Sequence, residues 1–314
     1  MKKLIIGVVQ ATPVFFDLAA TMEKVDEWLQ KAAKQGCKLV LFPESFIPGY
    51  PRGFTFDSSI GHRGERGRDL YQKYWENSVE IPSKAVDHLA EMAKQYQLYL
   101  GIGVTERAPQ NGTLYCTLLY FSPETGLLGK HQKLKPTGVE RLVWGEGQAD
   151  TLIAVNTKLG RLGGLICWEN YMPLARMAMY QSGVQIYLAP TADARDGWIA
   201  TLQHIALEGR CYVLGCNQFF RREDYSEEYR ALITDHPGEF CRGGSAIVAP
   251  NGQILSGTLY DQEGLLTAEI DVSETVRHKL DFDVNGHYSR DDIFDFRVIN
   301  RPLIVQEQGK SNQE

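Results

Sequence analysis

Short apolar runs separated by polar segments recur along most of this chain and set its expected architecture. Each run is shorter than a typical helix and is flanked by glycine, proline or charged residues, a pattern that predicts buried β-strands. Ten such runs stand out, at residues 4–9, 39–42, 98–104, 115–121, 152–155, 162–167, 184–189, 212–216, 245–249 and 265–270. Their even spacing, without a linker or repeat, predicts one domain over residues 1–285, followed by a C-terminal segment, residues 286–314, whose polar end is expected to be mobile.

Helical and turn patterns lie between the predicted strands. One helix is expected over residues 22–33, where apolar side chains recur at three-four spacing, with Thr21 as its cap and Gly36 at its end. Pro123–Gly126 and Pro250–Gly252 have the composition of hairpin turns. Strands that alternate with helices in places and form hairpins in others predict an α/β fold with mixed sheets.

Cys167 ends a glycine-rich apolar run and is followed at once by the polar segment 168–170, which favours a nucleophile placed on a turn. Two charged residues, Glu44 and Lys133, also follow strand patterns. Function collects at the carboxyl ends of strands in sheets rich in parallel strands, so the three groups are expected to meet. Taken singly, each has a plainer interpretation: a buried core cysteine, a solvated or capping carboxylate, and a surface lysine.

Three segments, in this order, resemble the signature blocks of the carbon-nitrogen hydrolase superfamily, and in particular those of a nitrilase. The blocks are Phe42–Phe46, Lys130–Thr137 and Cys167–Asn170, with further similar motifs at Gly49–Pro51, Glu140–Arg141, Trp144–Gly147, Pro173–Arg176 and Gly286–Arg290. One block alone would be weak evidence, whereas three in order are highly specific. The resemblance implies a four-layer α-β-β-α sandwich, in which two mixed sheets pack face to face beneath outer helices.

The resemblance also implies roles for individual residues. Cys167 is expected to be the nucleophile, Glu44 the general base, and Lys133 the cation that stabilises charge on the reacting nitrogen or oxygen. Glu140 is expected to be a second glutamate of the pocket beside this lysine. Without the resemblance, Glu140 would be interpreted as half of a surface ion pair.

The residues around the cysteine bear on the substrate. Trp168 and Trp198 are expected to contact it, and the backbone amide of Trp168 to stabilise developing charge. Asn170 and the segment 171–174 are more similar to plant-type and arylacetonitrile-type nitrilases, so the expected reaction converts an aromatic or arylaliphatic nitrile to a carboxylic acid and ammonia. An amidase or carbamoylase that uses the same residues is the alternative. A binding or scaffold protein on the same fold is a third hypothesis, from outside catalysis.

The composition is that expected of a cytoplasmic enzyme. The chain has 314 residues, of which 43% are hydrophobic, and 33 basic against 39 acidic residues give a net charge of -6. No basic stripe is present, so no nucleic-acid partner is expected. No apolar stretch approaches the roughly 20 residues that a membrane-spanning helix needs. Six cysteines without a regular framework indicate reduced thiols.

Several other motifs are less informative about function. The histidines lack metal-ligand spacing, and Glu106 stands where the third glycine of a dinucleotide-binding loop starting at Gly101–Gly103 would be, so neither a metal nor a cofactor is expected. His204 lies in a helical pattern and is expected to be buried rather than catalytic. The run 61–68 is expected to be a solvated loop able to cover the pocket. The resemblance further implies a homo-oligomer, either a dimer or a larger, spiral assembly.

Overall fold

Every one of the ten apolar runs lies wholly or partly in a β-strand of the computed structural model, so the strand prediction is confirmed. The structure describes residues 3–233, 240–299 and 305–306. Its strands are β1 (Leu4–Gln10), β2 (Cys37–Leu41), β3 (Ser58–Ser59), β4 (His62–Arg63), β5 (Val79–Glu80), β6 (Tyr99–Arg107), β7 (Leu114–Ser122), β8 (Gly126–Gln132), β9 (Ala154–Thr157), β10 (Gly160–Gly164), β11 (Ile186–Thr191), β12 (Tyr212–Asn217), β13 (Phe219–Phe220), β14 (Cys241–Val248), β15 (Ile254–Tyr260), β16 (Gly264–Ile270) and β17 (Val305–Gln306).

Helices connect many of these strands. The α-helices are α1 (Leu18–Lys34), α2 (Glu65–Glu76), α3 (Lys84–Tyr96), α4 (Pro173–Gln181), α5 (Gly197–Gly209), α6 (Glu227–Arg230) and α7 (Glu274–His278). Short 3₁₀ helices span Gly138–Leu142, Ala149–Thr151, Cys167–Tyr171 and Arg222–Asp224.

The longer strands form two mixed sheets. The first sheet has the order β16-β1-β2-β6-β7-β8, with β5 also beside β6. Within it β1, β2 and β6 are parallel, whereas β16, β7 and β8 pair antiparallel with their neighbours. The second sheet has the order β13-β14-β12-β11-β10-β9-β17, with β15 beside β14, and its centre is the parallel set β10, β11 and β12. Both sheets therefore combine parallel centres with antiparallel flanks, as the hairpin signals predict.

Three buried cores define the layers. The central core joins the facing surfaces of the two sheets, with contributions from Val8, Leu41, Leu118, Leu162, Leu188 and Leu214. A second core lies between the first sheet and helices α1 and α3, and a third lies between the second sheet and helices α4 and α5. Burial of apolar area on both faces of each sheet holds the layers together. The result is the four-layer α-β-β-α sandwich that the resemblance implies, so the predicted fold is confirmed.

Helix α1 begins earlier than the apolar pattern predicts. Its cap is Asp17, whose carboxylate accepts a hydrogen bond of 2.9 Å from the amide of Ala20. Thr21, the predicted cap, is buried inside the helix, and its hydroxyl donates to the Val14 carbonyl at 2.9 Å. The capping prediction was wrong because the helix extends N-terminally beyond the predicted pattern through Leu18–Ala20, where Asp17 supplies the cap.

Both predicted hairpin turns are confirmed, and the first one matters for the site. The turn at 123–126 joins β7 to β8, a strand that no apolar run predicted. Because β7 is antiparallel to both β6 and β8, β8 runs in the same direction as β2. The residues that follow β2 and β8 therefore lie at the same edge of the first sheet. Strand β10 of the second sheet supplies a third segment at the interface between the sheets.

The described part of the predicted C-terminal segment packs against the body of the protein. Phe296 and Val298 contact the core beneath α4 and α5, and just before the segment the Asn285 side chain donates to the Tyr180 carbonyl of α4. The domain boundary at residue 285 stays a prediction, and the expected mobile end, residues 306–314, lies outside the described residues except for Gln306 in β17. Within the described ranges, no helix has both the length and the apolar composition that crossing a membrane requires.

Candidate active site

Glu44 lies in a tight connection after β2 that packs directly on β6. The amide of Gly103 in β6 donates to the Pro43 carbonyl at 3.2 Å, and the Phe46 amide donates back to the Gly103 carbonyl at 2.8 Å. A β-carbon at position 103 would lie 2.2 Å from the Pro43 oxygen and 2.7 Å from the Glu44 α-carbon. Glycine is therefore required there for close backbone approach. This contact fixes the Glu44 backbone in a fully buried position.

Lys133 comes directly after β8 and is also buried. Its amide donates to the Cys116 carbonyl at 2.8 Å, which continues the β7–β8 pairing by one residue. Its ammonium donates to Glu44 Oε1 and to Glu140 Oε2, each at 2.7 Å. A buried ammonium needs such partners, because an unpaired charge in this environment would be costly.

Glu140 is held on a 3₁₀ turn by contacts to both of its oxygens. Oε2 accepts the Thr137 amide at 2.6 Å as well as the Lys133 ammonium, and Oε1 accepts the Tyr50 hydroxyl at 2.7 Å. The structure thus places Glu140 in the cluster and not in a surface ion pair. Tyr50 belongs to a motif that the sequence singles out, but the sequence gives it no role.

Cys167 follows β10 in a left-handed backbone conformation, with φ of +52°. Such a conformation is strained for a residue with a side chain and is found where surrounding contacts enforce it. The Asn170 amide group donates to the carbonyls of Leu165 and Cys167, each at 2.9 Å, and the Tyr187 hydroxyl donates to Asn170 Oδ1 at 2.8 Å. These bonds hold the turn that presents the thiol, as the sequence predicts.

The charges of the cluster act on each other. Burial raises the pKa of the Cys167 thiol, the charges of Glu44 and Glu140 raise it further, and Lys133 opposes them. Burial also raises the pKa of Glu44, with Lys133 opposing and Glu140 adding to the rise. For Lys133, burial alone would lower the pKa, but the carboxylates and the thiol outweigh it and the net pKa is raised. The lysine therefore stays charged, while the thiol needs a base to reach its thiolate form.

A cavity of about 340 Å³ opens onto this cluster. Its lining is Tyr50, Arg52, Thr137, Val139, Glu140, Cys167, Trp168, Ala192, Asp193 and Arg195. A larger hollow of about 940 Å³ lies near Lys3 and Arg277 and contains none of the four clustered residues. Size alone would select the larger hollow, but only the smaller one brings reactive groups to its wall, so we take it as the candidate active site.

Three charged residues of the pocket were not identified from the sequence. The Trp168 indole donates to Asp193 Oδ2 at 2.8 Å, and the Arg195 guanidinium lies 4.5 Å from the centre of the Trp168 ring while also bonding Asp193 at 2.8 Å. Arg52 donates to the Ala192 carbonyl. Arg52 directly follows the Gly49–Pro51 motif, so its place beside a signature block was a usable signal. Asp193 follows a predicted strand in the same way.

Other expectations about the site were wrong. Trp198 is only 1% exposed and packs in the core between α5 and the second sheet, away from the cavity lining. His204 is not buried, since its side chain is 61% exposed on the outer face of α5, 3.5 Å from Glu208. The run 61–68 contains β4 and the start of α2 and does not line the cavity. Among the described residues, no group of His, Cys, Asp and Glu has the arrangement of a metal site.

Comparisons with known proteins identify the family of this chain. Residues 5–279 match the carbon-nitrogen hydrolase family, and the chain belongs to that family. It is 48% identical over 296 residues to a bifunctional nitrilase/nitrile hydratase of Nicotiana tabacum, covering 93% of this chain and 84% of the relative. It is also 48% identical over 312 residues to an aliphatic nitrilase of Sinorhizobium fredii, covering 99% and 98% of the two chains. Within the family the protein falls in the nitrilase branch, the hydrolases of nitrile carbon-nitrogen bonds.

Solved structures share the architecture. A carbon-nitrogen hydrolase of Helicobacter pylori superposes with a TM-score of 0.74 over 93% of this chain and 97% of the other, at 19% identity. A nitrilase-superfamily member of Saccharomyces cerevisiae gives a TM-score of 0.72 over 92% and 97%, at 22% identity. At these identities the likeness concerns the fold.

Proposed function

We propose that this protein hydrolyses an aromatic or arylaliphatic nitrile to the carboxylic acid and ammonia, with Cys167 as nucleophile, Glu44 as general base and Lys133 as the stabilising cation. The observation that carries the proposal is the convergence of these side chains, with Glu140, in one buried cluster, of which Cys167 and Glu140 line the cavity. The aromatic Trp168 and Tyr50 at that wall support a planar substrate, and a volume of about 340 Å³ suits a small ligand.

The first chemical step is addition to the nitrile carbon. Glu44 Oε2 is buried without a hydrogen-bond partner among the described residues, so it is the atom available to accept the thiol proton. The thiolate sulfur bonds to the nitrile carbon, and one carbon-nitrogen π bond breaks as the nitrogen takes up the proton that Glu44 accepted, which leaves Glu44 deprotonated for the next step. The product of this step is a thioimidate on Cys167.

Two waters then complete the reaction. Glu44 deprotonates the first water, which adds to the thioimidate carbon to give a tetrahedral species. This species expels ammonia and leaves a thioester, and a second water, activated in the same way, releases the carboxylic acid and returns the thiol. The overall balance is one nitrile and two waters for one acid and one ammonia.

Both tetrahedral species carry charge that needs stabilisation. The Lys133 ammonium is fixed by two carboxylates, and the Trp168 backbone amide directly follows the nucleophile. A donor of this kind, preorganised in a water-excluded site, is worth about 3 to 4 kcal/mol of transition-state stabilisation. If the first tetrahedral species expels the thiolate and not ammonia, the product is an amide. The name of the Nicotiana tabacum relative includes both outcomes.

A nitrile panel tests the proposal. Purified protein is incubated with aromatic, arylaliphatic and aliphatic nitriles, each beside its matched amide, and ammonia is measured. We expect ammonia from aromatic or arylaliphatic nitriles and none with Cys167→Ala. Turnover of the amides alone would overturn the nitrilase proposal in favour of an amidase or carbamoylase. Turnover of aliphatic nitriles alone would overturn the proposed substrate class.

We also propose that the enzyme works as a homo-oligomer in the cytoplasm. Helices α4 and α5 and the adjoining turn expose the apolar side chains of Tyr171, Leu174 and Leu207, which a second copy would cover. All six cysteines are unpaired, which is typical of a reducing compartment. Sedimentation of the wild type and of Leu174→Glu tests the oligomer. A charge on a face that is buried between subunits is expected to weaken association, so the variant should sediment as a smaller species. Cell fractionation tests the cytoplasmic location.

A further inference from the structure

One carboxylate joins the two backbone segments that carry Lys133 and Cys167. Glu169 Oε1 accepts the amide of Leu134, the residue after Lys133, at 2.7 Å. Its other oxygen, Oε2, accepts the amide of Ile166, the residue before Cys167, at 2.8 Å. The first segment follows the first sheet and the second follows the second sheet, so Glu169 bridges the interface where the two reactive side chains meet.

The bridge is buried, and both of its oxygens accept hydrogen bonds. His131 Nε2 lies 3.0 Å from Oε2 and 3.2 Å from Oε1, while His131 Nδ1 lies 3.2 Å from the Thr151 carbonyl. Both side chains are completely shielded from solvent. A carboxylate that accepts from two backbone amides and a ring nitrogen is a rigid element, since each bond limits the movement of the other two.

Other residues do not substitute for this geometry. A glutamine at position 169 keeps the shape of the side chain but offers one oxygen and one N–H₂ group. Whichever way that amide is turned, a donor then faces one of the two backbone N–H groups. One of the two segments must therefore move away from the bridge, and the residue next to it carries a reacting side chain.

We propose that Glu169 is a positioning residue that sets the distance between the Lys133 ammonium and the Cys167 sulfur by holding residues 134 and 166 to one carboxylate. This inference rests on the proposed function for its catalytic consequence, but its geometric content concerns the thiol alone. Glu169 does not touch the substrate cavity. Its effect reaches the reaction through the two residues beside it.

The test is Glu169→Gln, measured by steady-state kinetics and by alkylation of Cys167 with iodoacetamide across pH. We expect kcat to fall about 100-fold, because a displacement of about 1 Å in a reacting group has that effect. We expect KM to stay within about threefold, because the cavity wall is untouched. We expect the midpoint of alkylation to move to higher pH, because the ammonium that favours the thiolate retreats.

Glu106→Gln is the matched control. Glu106 is another buried glutamate, on β6; it pairs with the Lys130 ammonium and accepts from the Thr117 hydroxyl at 2.8 Å and the Gln132 amide group at 3.1 Å. Its loss is expected to lower the melting temperature but to keep kcat and the alkylation midpoint. Glu169→Gln behaving like this control, with a lower melting temperature and unchanged kcat and midpoint, would overturn the proposal.

A second variant covers failure of Glu169→Gln to fold. Glu169→Asp retains the charge but is one carbon shorter, so it reaches only one of the two backbone amides, and the same changes in kcat and alkylation are expected in smaller size. Unchanged values in a folded Glu169→Asp enzyme would overturn the proposal in that case. The alkylation measurement needs no nitrile turnover, so it separates failure of this inference from failure of the proposed function.

Discussion

The Tyr50 hydroxyl donates a 2.7 Å hydrogen bond to Glu140 Oε1, opposite the oxygen that accepts from Lys133. Tyr50 lies shortly after Glu44, in the chain segment that follows β2 of the first sheet. Glu140 lies on the 3₁₀ turn that comes after Lys133. The bond therefore ties the second carboxylate of the cluster to the wall of the cavity. Glu140 is held close enough to Glu44 to raise its pKa, and this has a measurable consequence for the pH dependence of the reaction.

The acid limb of kcat/KM is predicted to shift in Glu140→Gln. Glu44 must be deprotonated to act as a base, so activity is lost as pH falls through its raised pKa. Removing the negative charge of Glu140 removes one cause of that rise, and the acid limb then moves to lower pH. Glu146→Gln is the control, since Glu146 pairs with Lys135 at the exposed surface. An acid limb that stays in place in Glu140→Gln contradicts the coupling.

Lys133→Met is predicted to lose both activity and stability. It leaves Glu44 and Glu140 buried without their cation, and breaking a buried ion pair on one side costs about 3 to 5 kcal/mol in the free energy of unfolding. The turnover number is expected to fall by about 10³-fold, the range for a lost charge-stabilising donor. Urea titration and steady-state kinetics provide the measurements. Lys3→Met, which removes an exposed ion pair to Glu269, is expected to change neither.

Gly103→Ala is predicted to displace the Glu44 connection. The added methyl group would overlap the backbone of residues 43–45, and overpacking of this kind costs about 1 to 3 kcal/mol. Because Glu44 moves with its backbone, kcat is expected to fall together with the melting temperature. Gly112→Ala adds the same group where nothing lies within 4 Å and is expected to be silent. Equal behaviour of the two variants would show that the contact at Gly103 is unimportant for the base.

The two tryptophans are predicted to respond differently to the same substitution. Trp168→Phe loses the hydrogen bond to Asp193, worth about 1 kcal/mol, which holds the Trp168 ring at the cavity wall. Because a substrate would then have to order this ring on binding, KM is expected to rise about fivefold for aromatic nitriles. Trp198→Phe removes volume from a closed core, so it lowers the melting temperature and leaves the order of substrate preference unchanged. A changed order of substrate preference in Trp198→Phe would show that Trp198 does contact the substrate.

Alkylation of Cys167 is predicted to depend on Glu44. All six cysteines are buried, but only Cys167 lines the candidate site, so iodoacetamide is expected to modify it first, as mass spectrometry of the digested protein would detect. Its pKa is raised, so the thiol needs a base, and Glu44→Gln is expected to slow the reaction at neutral pH about tenfold or more. A Cys167 no faster than an ordinary thiol would favour the non-catalytic scaffold hypothesis.

Much of the architecture was predictable from the sequence because strands of this fold are buried on both faces. Continuous apolar runs mark such strands, and all ten runs were placed correctly. No apolar run marks strand β8, which only the preceding hairpin turn implied, since it lies at the sheet edge and its residues are mostly half-buried. An edge strand is specified by its pairing with β7, which no local pattern contains.

The candidate site was predictable residue by residue only where a motif existed. Glu44, Lys133, Cys167 and Glu140 belong to signature blocks, and the structure brings them together. Trp198 and His204 were placed wrongly because both lie on α5, which is apolar around much of its surface, so its pattern does not tell the buried face from the exposed one. Asp193 and Arg195 gain their position from Trp168, a contact between residues that no sequence motif joins.

Glu44 and Lys133 follow strands of the first sheet, whereas Cys167 follows a strand of the second. Activity therefore requires both sheets to be folded and packed together. A chain cleaved between residues 157 and 160 would carry the acid-base pair on one fragment and the sulfur on the other. Neither fragment alone would hold the complete cluster, and turnover is expected to return only when the fragments reassociate, which also restores the β9–β10 and β1–β16 pairings. Recovery of ammonia release after mixing such fragments would therefore measure reassembly of the fold directly, without a spectroscopic label.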